Sequence, residues 1–329
     1  MLLVLQKFRQ EKVEFMYYLG IDLGGTNIAS GILNEENQII VRSNRKTNVT
    51  DNPEDLCGQM AEAAFDLLKK ADLTLDDIPW VGIGTPGIID RANGMVKFSS
   101  NLQLRDVPLK KLVEDKIGKK VIIDNDANAA AYGEYKAGVL RGTKNAIAIT
   151  IGTGIGSGII IDGKIFSNFA GGEMGHTVIE YNGRQCSCGR RGCWDVYASA
   201  TGLIFLTKEA MRTAGGDCLL WKYAEGKLEN VNGKMAFQAM REGDPDGKWI
   251  INQYIEYLGC GIMNCINIFQ PDILCIGGGV SNEGDSLLSP LKTYIERESA
   301  SMGAKRPELC LAELGNDAGI IGAALLGLI

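Results

Sequence analysis

Short apolar runs and glycine-rich turns alternate along the chain, and longer amphipathic stretches separate them. Residues 17–21 and 28–33 are apolar runs of strand length on either side of a polar glycine turn, which predicts a β-hairpin. The same order returns at 146–151 and 159–161, around a second glycine turn at 152–158. The two hairpins therefore look like equivalent parts of two related halves.

The remaining elements follow from the same patterns. Further strands are predicted at 38–42, 80–84, 121–123 and 273–276. Helices are predicted after an N-cap at Asp51 or Asn52, through 129–137, over about 249–269 and over 318–329. Strands that alternate with helices in this way are typical of an α/β protein.

Composition and charge argue against nucleic-acid-binding and membrane-associated functions. The chain has 329 residues, of which 45% are hydrophobic and 22% are charged, as in ordinary globular enzymes. A net charge of -6 and a pI near 5.1 argue against binding to nucleic acid. The longest uncharged stretch, 145–161, is interrupted by glycines and too short to span a membrane, so no membrane association is expected. Residues 1–15 lack a secretory cleavage site and are expected to be an extension of a cytoplasmic protein.

The only histidine, His176, is followed by Cys186, Cys188 and Cys193. One imidazole and three thiolates form the ligand set of a closed tetrahedral zinc site. A disulfide within this cluster is the alternative interpretation. Several of the six scattered cysteines lie in apolar runs and are interpreted as small buried side chains in a reducing compartment. Glu173 precedes the histidine among glycines and apolar residues, so we do not expect it to be a solvated surface carboxylate.

Three glycine-rich turns follow predicted strands, at 22–27, 152–158 and 277–281. Strands follow the first two turns, which therefore lack the helix required by the dinucleotide fingerprint, and no Walker loop occurs. Backbone N–H groups of such turns can bind phosphate, and Asp22 is placed to hold Mg²⁺ directly or through water. Each turn alone is most simply a turn, but the three together favour a phosphate-binding site.

The motifs resemble those of the ROK family of sugar kinases, within the actin-like ATPase superfamily. The resemblance runs from about residue 17 to the C-terminus and rests on the strings DLGGTN at 22–27, DNDAN at 124–128, IGTGIG at 151–156, EMGH at 173–176 and CSCGRRGC at 186–193. Among family members the chain looks most like the bacterial glucokinases, particularly over 192–199. The resemblance implies a two-domain α/β fold of the actin-like ATPase (ribonuclease H-like) type, with a cleft between the domains.

The resemblance also implies domain boundaries. After the extension at 1–15, a small α/β domain would comprise 16–123 plus 315–329, and a large α/β domain with the zinc site would comprise 124–314. The helix from Ala318 is expected to return to the small domain. Relatives suggest a homodimer or a homotetramer.

The implied activity is ATP-dependent phosphorylation of glucose at the 6-hydroxyl, by a hexokinase-type phosphotransferase. Asp126 would be the general base that accepts the proton of the attacking sugar hydroxyl. Its alternative role is that of a helix N-cap, which Asn125 or Asn128 can share. His176 would contact zinc through one ring nitrogen and the sugar through the other, so the zinc would be structural.

Two sets of binding residues are carried over from the family. The sugar-binding set is Thr85, Asn101, Asn125, Asp126, Glu173, His176 and Asp195. The set for ATP and Mg²⁺ is Asp22, Gly24, Gly25, Thr26, Asn27, Gly152, Thr153, Gly154, Gly278 and Gly279. Asp195 departs from the family, which often has Glu at this position. The shorter side chain leaves its contact with the sugar open and could alter preference at C1 or C2.

Other functions remain open at this point. N-acetylmannosamine, N-acetylglucosamine, mannose and fructose are alternative substrates within the family. A sugar-responsive transcriptional repressor would carry an N-terminal winged helix, for which the fifteen residues before the first strand are too few. A chaperone ATPase would need a peptide-binding domain and would leave the zinc string unexplained.

Overall fold

The computed structural model describes residues 16–166, 172–214, 218–299 and 306–329. Its N-terminal sheet has five strands in the order β3-β2-β1-β4-β8. These strands are β1 (Tyr18–Leu23), β2 (Asn27–Leu33), β3 (Ile39–Lys46), β4 (Val81–Thr85) and β8 (Val121–Asn125). β1 pairs antiparallel with β2 and parallel with β4, so a hairpin is joined to parallel strands. A separate antiparallel sheet contains β5 (Ile88–Asp90), β6 (Met95–Ser99) and β7 (Leu104–Val107).

The second five-stranded sheet repeats this arrangement. Its order is β11-β10-β9-β12-β13, formed by β9 (Ala146–Ile151), β10 (Ile155–Ile161), β11 (Lys164–Ile165), β12 (Ile273–Gly277) and β13 (Glu308–Leu311). β9 pairs antiparallel with β10 and parallel with β12. The two sheets thus share one topology, which agrees with the prediction of two related halves.

Helices cover both sheets. They are α1 (Pro53–Ala71), α2 (Leu109–Ile117), α3 (Asp126–Ala137), α4 (Asp195–Ala198), α5 (Ala200–Ala214), α6 (Leu219–Tyr223), α7 (Met235–Arg241), α8 (Pro245–Phe269), α9 (Asp285–Ser299) and α10 (Asp317–Leu325). α8 lies in the core of the second half, where Tyr254, Leu258 and Ile262 are fully buried. Within the described ranges, no helix combines the length and apolar character required to cross a membrane.

Helix α10 returns to the N-terminal sheet and packs against β1, β4 and α3. Glycines make this close approach possible. A Cβ at Gly322 would overlap the carbonyl oxygen of Ala129, and a Cβ at Gly133 would overlap that of Ala318. The two helices therefore touch backbone to backbone, and any larger side chain at these glycines must separate them.

Three predicted element starts are wrong by several residues. α8 begins at Pro245 instead of 249, because the Asp244 side chain caps it by accepting from the Gly247 amide at 2.8 Å. α3 begins at Asp126 instead of 129. β10 begins at Ile155 instead of 159, so the second glycine turn is reduced to 152–154.

Candidate functional site

A cleft of about 530 Å³ is lined by residues from both sheets and from the cysteine-rich segment. It collects ten of the predicted sugar- and nucleotide-binding residues, namely Asn101, Asn125, Asp126, Gly152, Thr153, Gly154, Glu173, His176, Asp195 and Gly278. The cleft thus unites predicted sugar-binding residues with two of the three predicted phosphate turns.

Asn125 and Asp126 lie where β8 passes into α3. Asn125 is the N-cap, because its Oδ1 accepts from the amides of Ala127 (2.9 Å) and Asn128 (3.2 Å). Its Nδ2 donates to the carbonyl of Gly87 at 3.1 Å. The capping role considered for Asp126 therefore belongs to Asn125. Asp126 is the first helical residue, and its Oδ1 accepts from the Ala127 amide at 2.9 Å.

Asp124 supports this turn from below. Its Oδ1 accepts from the Asn125 amide at 2.7 Å and from Asn128 Nδ2 at 3.0 Å, and its Oδ2 lies 3.4 Å from Arg91 Nη1. Asp124 is almost completely buried, and these contacts give its carboxyl polar partners in the interior. Sequence reasoning gave Asp124 no role, although the residue belongs to the same motif.

Four carboxyl groups in and beside the cleft influence one another. Burial raises the pKa of Asp126, and burial together with the nearby Asp126 raises the pKa of Asp22 to about 7. Burial also raises the pKa of Glu173, an effect that His176 opposes and that Asp126 and Asp195 reinforce. The predicted convergence of Asp126 with Glu173 and His176 is therefore present in the structure.

Glu173 is more exposed than the sequence suggested. The residue as a whole is exposed, although its carboxyl is partly desolvated within the cleft, whereas its glycine and apolar neighbours predicted that it would be shielded. The exposed side chain lines the cleft, next to His176 and Asp195. Glu173 is therefore exposed to the cleft and is not a carboxylate on the outer surface of the protein.

The four predicted metal ligands converge. His176 Nδ1 lies 3.6 Å from Cys186 Sγ, Cys188 Sγ lies 3.6 Å from Cys193 Sγ, and all four ligand atoms lie within 4.8 Å of one another. A tetrahedron with zinc–sulfur bonds of about 2.3 Å has edges of roughly 3.8 Å, so the cluster fits zinc. The alternative disulfide is absent, since all nine cysteines are free.

The cysteine-rich segment is fixed to the core through Trp194. This side chain is completely buried, and its Nε1 donates to the carbonyl of Tyr257 in α8 at 3.0 Å. Gly261, one turn further along α8, provides the space, because a Cβ there would overlap the indole ring. Cys193 and Asp195 flank the indole in sequence, so both are held in place by the same anchor.

The glycine turn at 152–154 is held by the residues that follow Trp194. The Ile155 amide donates to Asp195 Oδ1 at 2.6 Å, the Ala200 amide donates to the Gly152 carbonyl at 2.9 Å, and the Thr201 hydroxyl donates to the Thr153 carbonyl at 2.7 Å. Sequence reasoning missed Ala200 and Thr201, and no local signal marks them, because both contacts join distant parts of the chain.

Seven predicted sugar- or nucleotide-binding residues do not line the cleft. They are Asp22, Gly24, Gly25, Thr26, Asn27, Thr85 and Gly279. The first glycine turn nevertheless adjoins it, since a Cβ on Gly25 would lie 3.1 Å from the carbonyl oxygen of Asn101. Thr85 ends a central strand and is completely buried, so a direct sugar contact by its side chain is excluded in this structure.

Other cleft residues were not anticipated. Ile88, Ile89 and Phe98 of the three-stranded sheet line one wall, and Ser187 of the cysteine-rich segment lines another. Phe98 is 40% exposed and stacks under the guanidinium of Arg105 at 5.0 Å. The strands that carry these apolar side chains are three to five residues long, too short for a periodic signal in the sequence.

Comparisons with known proteins give a consistent result. The family model described as "ROK family" matches residues 18–328. A glucokinase from Thermotoga maritima is 37% identical, and the match covers 93% of this chain and 95% of the relative. A xylose repressor from Caldicellulosiruptor bescii is 33% identical, and the match covers 85% of this chain and 70% of the repressor. A solved ROK family glucokinase from Streptomyces griseus, in complex with glucose and AMPPNP, has a TM-score of 0.80 and 33% identity, covering 94% of this chain and 98% of the other.

Proposed function

Because the chain belongs to the ROK family, we propose that it is an ATP-dependent kinase that phosphorylates glucose at the 6-hydroxyl. One observation carries this proposal. Asp126 lines a single cleft together with polar side chains suited to a sugar and a glycine turn suited to phosphate. Its carboxylate would therefore be within reach of both a bound sugar hydroxyl and a phosphoryl donor.

The sugar would bind among Asn101, Asn125, Glu173 and His176. Amide, carboxylate and imidazole groups can each pair with a hydroxyl that would otherwise lose its hydrogen bonds to water. Asp195 lies in the same cleft, but its Oδ1 already accepts from the Ile155 amide. The apolar wall with Phe98 would face the less polar surface of the ring.

The triphosphate would lie along the glycine turns. The Gly152 amide donates to the Gly154 carbonyl within the turn at 2.9 Å, so Thr153 and Gly154 offer the backbone amides there. Gly278 lies against Ile151 at the start of this turn, and the first turn adjoins the cleft where Gly25 meets Asn101. The proposed roles of Gly24, Thr26, Asn27 and Gly279 require that the nucleotide extend beyond the cleft as it stands. Closure of the two halves would also exclude water.

Asp22 is the residue that would hold Mg²⁺. A buried carboxylate with a pKa of about 7 is costly to ionise, and a bound cation would offset that cost. When bound, Mg²⁺ neutralises charge on the phosphates. The residues fit this group, because a carboxylate oxygen is the ligand that Mg²⁺ prefers.

The zinc would be structural. His176, Cys186, Cys188 and Cys193 would hold it, and the metal would fix the orientation of the His176 ring beside the sugar. Four protein ligands leave no open position on a tetrahedral ion, so no activated water is assigned to it.

The proton transfer falls to Asp126. Its carboxylate accepts the proton of the 6-hydroxyl while the hydroxyl oxygen forms the new bond to phosphorus and the bond to the leaving ADP oxygen breaks. The raised pKa suits the task, since a base with a pKa closer to the working pH is more effective.

A coupled assay for ADP release over a sugar panel tests the proposal. Glucose should give the highest kcat/KM among glucose, mannose, fructose, N-acetylmannosamine and N-acetylglucosamine, with no release when sugar is left out. A higher value for another hexose would replace glucose as the substrate. Sugar binding without any ADP release would instead favour a non-catalytic regulator. Light scattering on a sizing column would test the expected homodimer or homotetramer.

A further inference from the structure

We propose that Asp195 is a positioning residue for the phosphate-binding turn at 152–154, and that it does not bind the sugar. The inference rests on the proposed kinase function and gives a specific role to the residue that departs from the family pattern. Thr201 acts on the same turn. Together they make the segment 195–201 the support that holds the turn in place, and the turn in its place would bind the nucleotide phosphates.

The contacts on the turn are distributed along its whole length. Ala200 and Thr201 hold the carbonyls of Gly152 and Thr153, at the start and middle of the turn. Asp195 holds the amide of Ile155, which begins the strand after it. Because the carbonyls point to the support, the turn is fixed from outside the cleft before any nucleotide binds.

The length of the Asp195 side chain matches this role. Its Oδ1 lies 2.7 Å from the position that a Cβ on Gly154 would occupy, so carboxylate and turn are in close contact. A glutamate has one more methylene and would have to bend away from Gly154 and Ile155. The aspartate therefore suits a short contact with the turn better than a long reach to a sugar.

The support is rigid because Trp194 is buried against α8 and immediately precedes Asp195. The carboxylate thus has few alternative positions. A displaced turn would misplace the backbone groups that are to meet the phosphates, so loss of a support contact should weaken nucleotide binding more than sugar binding.

Four variants test this role. Asp195→Ala and Thr201→Val each remove one contact, whereas Asp195→Asn keeps a carbonyl oxygen that can accept from Ile155. Thr213→Val is the matched control, because its hydroxyl bonds only within α5, to the Glu209 and Ala210 carbonyls. The affinities of AMPPNP with Mg²⁺ and of glucose alone are measured by calorimetry, and zinc content is measured in each protein.

Asp195→Ala and Thr201→Val should each weaken AMPPNP binding about fivefold or more, as expected for one lost hydrogen bond, and leave glucose affinity within about twofold. Asp195→Asn and the control should bind AMPPNP within about threefold of the wild type. Loss of glucose affinity in Asp195→Asn, with full zinc and unchanged AMPPNP binding, would overturn the inference and make Asp195 a sugar ligand. A Thr201→Val protein with wild-type affinity for AMPPNP would also contradict it.

The binding measurements need no turnover. A wild-type protein that binds AMPPNP but phosphorylates no sugar would therefore refute the kinase proposal and leave the positioning role to stand on the variant affinities. Absence of AMPPNP binding in the wild type would overturn both.

Discussion

Replacement of Asp126 by Asn separates binding from chemistry. The amide is nearly isosteric, and its carbonyl oxygen can still accept from the Ala127 amide, which lies 2.9 Å from Oδ1. The N-cap of α3 is Asn125, so the helix start is unaffected. The change therefore removes a proton acceptor and a negative charge while the local backbone is retained.

The expected loss of rate follows from general-base catalysis. A positioned base contributes roughly 10²- to 10⁴-fold, so kcat should fall by this factor, which corresponds to about 3–5 kcal/mol of activation free energy. Stability should change little. The variant loses a favourable charge at a helix N-terminus, worth about 0.3–1 kcal/mol, but it also removes a buried charge that raises the pKa of Asp22.

The assay combines coupled ADP release, glucose titration by calorimetry and urea denaturation at pH 8. Glucose affinity within about threefold of wild type, with the free energy of unfolding within about 1 kcal/mol, would show that the fold and the sugar site are intact. A kcat within tenfold of wild type would refute the assignment of the base. Loss of glucose binding together with kcat would move Asp126 from proton transfer to sugar recognition.

Three further predictions concern charge, packing and metal. Burial raises the pKa of Asp22 to about 7, so its contribution to stability is full below the pKa of the unfolded chain and is lost as the pH rises through 7. The free energy of unfolding is measured by urea denaturation without Mg²⁺ and nucleotide. Between pH 5 and pH 8 the wild type should lose about 2–3 kcal/mol relative to Asp22→Asn. Gly322→Ala places a Cβ against the Ala129 carbonyl and should cost about 1–3 kcal/mol by the same measurement, and an unchanged midpoint would contradict the close packing of α3 and α10. Cys193→Ser should lose most of the roughly one zinc per chain expected in the wild type and unfold at a lower temperature, whereas full zinc content in the variant would remove this residue from the ligand set.

Local patterns predicted the elements whose signals are contained in a few neighbouring residues. The first glycine hairpin with its two strands and the helix cap after residue 50 appear where expected, with Asn52 as the cap. The second hairpin is present too, but its turn is shorter and its second strand longer than predicted. Membership of the ROK family confirms the predicted family and the actin-like α/β fold. The four metal ligands converge as predicted, while occupation by zinc stays a prediction, as do the domain boundaries, the oligomeric state and the cellular location.

What the sequence did not predict depends on distant contacts. Thr85 belongs to a segment that resembles the sugar-side loop of the family, but pairing of β4 with β8 buries it inside the sheet. Phe98 lines the cleft from β6 of the short three-stranded sheet. Thr201 contacts a turn 48 positions earlier in the chain. No pattern along the chain encodes such neighbours, since they arise when residues far apart in the sequence pack together.

The four predicted metal ligands lie on two segments that are joined next to the cleft. His176 and Cys193 belong to segments that meet at the bridge between Val178 and Cys193, and the Trp194 amide donates to the Thr177 carbonyl at 2.8 Å. A metal bound to both segments would fix the sugar-side imidazole on one of them. The segment with Cys193 continues through Trp194 into residues 195–201, which hold the turn at 152–154. A metal ion bound there would therefore restrain the segment that carries His176 against the segment that leads into the contacts on the turn at 152–154.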